Sequence, residues 1–141
     1  MRLTYFLFGT TFALGIALGS LGNQRLSAQE ALARGTVLQR TDLAGAKGLE
    51  AILVLRELPP GGESGKHTQA GGEIVYILDG STILEVQGKP PQTLKSGEAF
   101  STSAGEVHNV KNTSSSEPAK ALAFYIAKKG TRLEDLSVPA K

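Results

Sequence analysis

The sequence predicts an all-β protein, a sandwich or barrel of about nine short strands. Short apolar runs follow one another from residue 35 to residue 127, and turn residues separate them. Glycine is abundant, with 17 residues, which suits a fold with many tight turns. No long stretch in this part of the chain keeps the 3.6-residue apolar spacing of a helix. A chain of 141 residues allows one domain.

The first two strand candidates lie before a proline-glycine stop. The run "TVLQR" (36–40) predicts a short strand, and "LEAILVLREL" (49–58) predicts a longer one because it is rich in leucine and β-branched residues. The stop is "PPGG" (59–62), where proline cannot donate to a sheet and glycine turns freely.

A hairpin is expected in the middle of the chain. Its strands are "EIVYILDG" (73–80) and "TILEVQG" (82–88), joined by the turn signal Asp79-Gly80. The segment "GKPP" (88–91) predicts a second turn.

The last strands are shorter, except for the final one. "QTL" (92–94), "EAFSTS" (98–103) and "EVHNVKN" (106–112) are strand candidates. "NTSSSEP" (112–118) predicts a loop, and "AKALAFYIA" (119–127) predicts a strong final strand.

The N-terminal segment has the features of a secretory signal peptide. Arg2 is followed by no charge from Leu3 to Gln24, and small residues end at Ala28. We therefore expect export to the periplasm or the medium, with cleavage near Ala28. An uncleaved membrane anchor over residues 3–24 is the alternative.

Four parts of the chain follow from these patterns. Residues 1–28 are the leader, and 29–48 are a linker and the first strand. Residues 49–127 form the barrel, and 128–141 are a polar tail that we expect to be a short helix or a loop.

Charge excludes several classes of partner. Arg2 and Arg25 carry the formal charge of +2, because the other 13 basic residues balance 13 acidic ones. The chain after the leader has no electrostatic reason to bind nucleic acid or an anionic membrane. Cysteine is absent, which excludes disulfides and zinc–cysteine sites.

The two histidines of the chain are candidates for a metal site. His67 and Gln69 share one face of a strand, and a glycine corner can return Glu73 to the same side. If the strand that carries His108 is a neighbour, its imidazole completes the group. Two histidines and a carboxylate are the ligands of many non-haem iron centres. Taken singly, each of these residues is better explained by an ordinary surface or buried position. Taken as a set they favour a site, because both histidines stand in glycine-framed positions with a carboxylate between them.

The same residues carry a resemblance to the cupin superfamily. Its first motif, G-x5-H-x-H-x3,4-E-x6-G, is matched by Gly61, His67, Glu73 and Gly80, with Gln69 in place of the second histidine.

The second cupin motif, G-x5-P-x-G-x2-H-x3-N, lies further along the chain. Gly97, Gly105, His108 and Asn112 match it, and Ser103 stands where proline is usual.

The resemblance implies a small cupin-type jelly-roll β-barrel, often a homodimer. It also implies a divalent transition metal (Fe, Mn, Ni or Zn) held by His67, Glu73 and His108. Gln69 would take the fourth ligand position, and Asn112 would be structural. An amide oxygen is a weaker ligand than imidazole, so the metal can be bound more loosely or differ from that of other cupins.

Three functions are compatible with this resemblance. The first is a metal-dependent enzyme of dioxygenase, isomerase or lyase type, acting on a small oxygen-bearing molecule. The second is a non-catalytic barrel that binds a small ligand with or without metal. The third is a structural dimer unit that pairs through the apolar strands 49–58 and 119–127, and it is compatible with either of the others.

Overall fold

The computed structural model describes residues 33–132 and 135–140. The predicted leader, residues 1–28, lies outside them. Within the described ranges the chain forms ten β-strands, which confirms the all-β prediction. No helix in these ranges is long and apolar enough to cross a membrane.

Two five-stranded antiparallel sheets make up the barrel. Sheet 1 has the order β1-β2-β9-β4-β7, and sheet 2 has the order β10-β3-β8-β5-β6. This two-sheet arrangement is the predicted jelly roll. The strands are β1 (Arg34–Asp42), β2 (Leu49–Leu58), β3 (His67–Gln69), β4 (Glu73–Asp79), β5 (Ser81–Val86), β6 (Gln92–Lys95), β7 (Ala99–Thr102), β8 (His108–Asn112), β9 (Ala119–Lys128) and β10 (Ser137–Pro139).

The two ends of the described chain differ from expectation. β1 is longer than the predicted strand 36–40, because it pairs with β2 along its whole length. The expectation of a helix or loop in the tail is wrong for Ser137–Pro139, which pair with β3 as strand β10. A strand of three residues has no recognisable apolar period, and only its pairing with β3 makes it extended.

Alternation along the strands places the core between the sheets. On β4, Val75 and Ile77 are buried whereas Ile74 and Tyr76 are exposed, as expected for a strand with one face covered. The inner faces of the two sheets bury one apolar cluster: Ile52, Val54, Val75, Ile77, Leu84, Leu94, Phe100, Ala121, Ala123, Tyr125 and Leu136.

The predicted hairpin turn is present at Asp79 and Gly80. Gly80 has a φ of +79°, and the backbone N–H of Gly80 donates a hydrogen bond to the Asp79 carboxylate at 2.9 Å. A Cβ atom at this position would lie 3.1 Å from the Cβ of Ala119. Both the backbone conformation and the close approach therefore require glycine.

Asn112 ties the end of β8 to two neighbouring segments. Its side-chain amide N–H group lies within hydrogen-bonding distance of the carbonyls of Leu58, Pro59 and Glu117, and its amide oxygen accepts from the backbone of Ser114. The side chain is buried. These bonds agree with the structural role that the resemblance implied.

Candidate metal centre

Two histidines face each other across neighbouring strands of sheet 2. β3 and β8 are antiparallel, and His67 pairs directly with His108 in their register. Directly opposed residues project to the same face of a sheet, so the two rings come close, with centroids 4.2 Å apart. Both side chains are buried. The neighbouring strands on which the predicted site depended are therefore present.

Glu73 reaches the histidines from the opposite sheet. It is the first residue of β4, and a tight corner precedes it: a Cβ at Gly71 would lie 2.8 Å from the carbonyl oxygen of Ile126. The Glu73 carboxylate lies 2.9 Å from Nε2 of His108 and accepts a 3.3 Å hydrogen bond from the Thr102 hydroxyl. The site thus bridges the two sheets.

Backbone carbonyls orient both imidazoles. Nδ1 of His67 donates to the carbonyl of Gly65 at 2.8 Å, and Nδ1 of His108 donates to that of Glu106 at 3.0 Å. Each ring therefore directs Nε2 towards the site. Hydrogen bonds of this kind fix the ring tautomer and orientation in metal-binding histidines.

Electrostatics couple the three titratable side chains. Burial raises the pKa of Glu73, but the hydrogen bond to His108 and the charge of that ring outweigh it, so the pKa lies below 4.5. Burial lowers the pKa of His108, and the bonds to Glu73 and the Glu106 carbonyl reverse this and hold it above 6.5. Burial lowers the pKa of His67 below 6.5, and the Gly65 carbonyl offsets only part of that effect. Without metal, the pair His108–Glu73 therefore favours the imidazolium carboxylate form.

Gln69 lies beside the carboxylate and is almost fully buried, with 2% of its surface exposed. Its Nε2 is 3.5 Å from the Glu73 carboxylate and donates to the Ser137 hydroxyl at 3.2 Å. Its Oε1 is buried and has no hydrogen-bond partner among the described residues. Rotation of the amide by half a turn exchanges the two atoms and turns the oxygen towards the site.

The donor set fits a divalent transition metal. The ligand atoms of His67, Glu73 and His108 all lie within 4.8 Å of one another, and the three residues are buried. Imidazole nitrogens with a carboxylate suit Fe, Mn, Ni or Zn. The orphaned amide oxygen of Gln69 is a neutral oxygen donor next to this group. These residues could therefore hold a metal ion.

Two further side chains at the site were not assigned to it from the sequence. The Tyr125 hydroxyl accepts hydrogen bonds from Arg56, at 3.0 Å from Nη2 and 3.3 Å from Nε. Burial and the nearby charge of Glu73 raise the pKa of that hydroxyl. The sequence did contain a signal for Arg56. On alternate positions of β2, which face inward, this charged residue stands between the apolar residues Val54 and Leu58.

A cavity of about 370 Å³ opens beside the candidate metal centre. Its polar end carries His67, Glu73, Tyr125 and Arg56, whereas much of the remaining wall is apolar. A small molecule in this cavity would contact the polar group at one end and hydrocarbon elsewhere. The apolar lining is formed by Leu58, Val75, Ile77, Phe100, Val110, Ala121 and Ala123.

The fold and the site define a barrel of the double-stranded β-helix class with a candidate metal centre between its sheets. Residues 54–125 match the cupin domain family, and the chain belongs to that family. No curated protein matches the sequence.

Several solved structures share the fold. A cupin domain from Bordetella pertussis is 24% identical, with a TM-score of 0.55 over 70% of this chain and 97% of that one. A conserved protein with a double-stranded β-helix domain from Klebsiella pneumoniae is 19% identical, with a TM-score of 0.56 over 72% and 81%. The DMSP lyase DddQ from Ruegeria pomeroyi is 21% identical, with a TM-score of 0.59 over 84% of this chain and 57% of that one. At these identities the likeness concerns the fold.

Proposed function

We propose that this chain is an exported metal-binding cupin that acts on a small oxygen-bearing molecule. The observation that carries the proposal is the buried group His67, Glu73 and His108 beside a mainly apolar cavity. Burying polar groups costs folding free energy unless they are paired, and one metal ion would bind all three side chains at once. Gln69 would be the fourth ligand through its amide oxygen.

Backbone carbonyls and apolar side chains of this chain would orient and shield a metal ion at the site. A divalent ion bound there would supply Lewis acidity towards a carbonyl or an enolate or, in the case of iron, dioxygen chemistry. The carbonyls of Gly65 and Glu106 hold the two imidazoles in place. The apolar wall excludes water, which strengthens electrostatic interactions at the polar end.

Three reaction classes fit this arrangement: dioxygenase, isomerase and lyase. The fold does not choose among them, because one barrel hosts many chemistries. The DMSP lyase among the structural neighbours is an example of the lyase class on this fold. Small oxygenated acids, phenols and sugars are therefore the substrates to screen first.

Metal content is the direct test of this proposal. The protein is purified and analysed for transition metals beside the double variant His67→Gln/His108→Gln. About one equivalent of metal in the wild type and none in the double variant is the expected result. Thr82→Val is the matched control, because Thr82 is a buried cavity residue without a role as metal ligand. A folded wild type that cannot be loaded with Fe, Mn, Ni or Zn would refute the proposal.

A non-catalytic binding barrel is the second candidate, and Gln69 favours it. An amide is a weaker metal ligand than the histidine of the cupin motif. Such a barrel would keep its affinity for a small ligand after chelation of the metal. An enzyme of the first kind would lose turnover on chelation and on the single substitution His108→Ala.

Export and dimerisation belong to the same proposal. The apolar leader, residues 1–28, supports a periplasmic or secreted protein, and the mass of the purified chain tests cleavage near Ala28. Exposed apolar side chains on the outer face of sheet 1 support a homodimer: Ile74, Tyr76, Leu78, Phe124 and Ile126.

A further inference from the structure

Arg56 occupies an inward position of the barrel wall. The side chains of Ile52, Val54 and Leu58 on the same strand are buried, and Arg56 continues their alternation. Its guanidinium lies beside the polar end of the cavity and contacts the Tyr125 ring, at 5.7 Å from the ring centroid. The side chain is half-buried, and a cation that is partly removed from water is stabilised by a counter-charge.

The described residues compensate this cation only in part. Nε and Nη2 of Arg56 donate to the Tyr125 hydroxyl, which is a neutral acceptor. Arg56 forms no ion pair with any carboxylate of residues 33–132 and 135–140, whereas Arg40 at the other end of the sheet pairs with Glu50. Guanidinium has five N–H donors, and two of its nitrogens are accounted for. Donors therefore remain for a ligand.

Among the lysine, arginine and acidic side chains of the described residues, Arg56 and Glu73 line the cavity. The Glu73 carboxylate already bonds to His108, so it is not a dedicated partner for Arg56. With a divalent metal bound, this end of the cavity would carry the metal and Arg56 against one carboxylate. An anion beside Arg56 would then neutralise charge in a site of low dielectric.

The rest of the cavity fits an apolar body. In the register of sheet 1, Ala121 of β9 is paired with Arg56 of β2 on one side and with Ile77 of β4 on the other. Ala123 occupies the next inward position of β9, between Val54 and Val75. Because these two central side chains are small, space remains above them that larger residues would fill.

We propose that the cavity takes a small carboxylate with an apolar body, and that Arg56 binds the carboxylate group. Arg56 and a carboxylate can form two parallel hydrogen bonds, a geometry that lysine does not reproduce. The Thr82 hydroxyl, buried in the cavity wall without a hydrogen-bond partner in the described part of the chain, offers one further polar contact. The inference deepens the proposed function and rests on it, since the carboxylate is then the oxygen-bearing group presented to the metal centre.

Matched pairs of acids and amides test this proposal. Isobutyrate and benzoate are titrated calorimetrically into the full protein, each beside its uncharged amide, in metal-loaded and metal-stripped samples. The wild type is expected to prefer the acid of each pair. Arg56→Met, which keeps the length of the side chain, is expected to weaken acid binding by about tenfold to a hundredfold. Amide binding should change little, so the preference disappears.

Three further variants distinguish direct binding of the carboxylate by Arg56 from a role of Arg56 in positioning Tyr125. Lys120→Met removes a cation from the neighbouring residue pair of the same sheet, where it lies on the outer face. This variant should keep the preference for acids over amides. Tyr125→Phe removes the hydrogen bonds to Arg56 but leaves the charge of Arg56 in place, so the preference for acids over amides should persist. Arg56→Lys should keep part of the preference. If Arg56 only positioned Tyr125, then Tyr125→Phe would match Arg56→Met, and the proposal would be wrong.

Metal analysis of the same samples distinguishes this inference from the proposed function. An Arg56-dependent preference for acids in a protein that cannot be loaded with metal would overturn the proposed function and support the carboxylate site. Normal metal content with equal affinity for acids and amides would overturn the carboxylate site alone. Failure of both acids to bind the wild type would also overturn it.

Discussion

Restoring the histidine that the cupin motif contains tests whether Gln69 belongs to the metal shell. In Gln69→His an imidazole replaces a buried amide on β3, next to Glu73 and two residues along the strand from His67, which pairs with His108. If position 69 is a ligand position, the variant offers a stronger donor to the same ion. We expect metal affinity to rise by about tenfold to a hundredfold, on the scale by which changes at metal sites alter binding.

The stability of the metal-free variant can be estimated from the contacts of Gln69. The substitution removes its hydrogen bond to Ser137, which costs about 1 kcal/mol. It also removes the buried amide oxygen that has no partner in the described residues, which returns about 1–3 kcal/mol. The free energy of unfolding should therefore stay within about 2 kcal/mol of the wild type, so a change in affinity would not reflect unfolding.

The assay is a competition titration with a chromophoric zinc chelator, followed by the same titration with nickel. Gln69→Leu is the matched control, because leucine fills a similar volume without a donor atom. We expect the order of affinity to be histidine above glutamine above leucine. Equal affinities in all three proteins would show that position 69 does not contact the metal.

Further predictions concern stability, protonation and assembly. Asn112→Ala should lower the free energy of unfolding by about 2–3 kcal/mol in urea denaturation, because it leaves buried carbonyls unpaired; a loss below about 0.5 kcal/mol would contradict this. In metal-free protein the ring NMR signals should show that His67 deprotonates below pH 6.5 and His108 above it, and the opposite order would refute the assigned hydrogen bonds. Metal binding must release the His108 proton, so affinity should increase as pH rises through its pKa, measured by titration at several pH values. Phe124→Lys should shift a dimer to a monomer in sedimentation, and an unchanged mass would exclude this face of sheet 1.

The sequence predicted the candidate metal centre because its residues lie in two local motifs with fixed spacing. His67 and Glu73 are separated by one corner, and a single strand carries His108. The meeting of the two histidines required only that β3 and β8 be neighbours, which the cupin plan implies and the register confirms. The glycine turns were predictable for the same reason, since each is defined by its own residue.

The other cavity residues depend on pairings that no local pattern records. Arg56 and Tyr125 are 69 positions apart and meet because β2 pairs with β9 in one register. Ser137 meets Gln69 through β10, which is too short to be recognised from its residues. The alternation of β2 did mark Arg56 as an inward polar residue, and this was the one signal available in the sequence.

The two sheets contribute different properties to the site. Sheet 2 supplies the pair His67 and His108, and its register alone brings their rings together. Sheet 1 supplies Glu73, and beside it lie Arg56 and the alanines of β9 that determine charge and space in the cavity. Changes in the inward file of sheet 1 can therefore alter which ligand binds without moving the histidines. Ligand selectivity in this barrel should depend on β2 and β9, and metal affinity on β3, β8 and the first residue of β4.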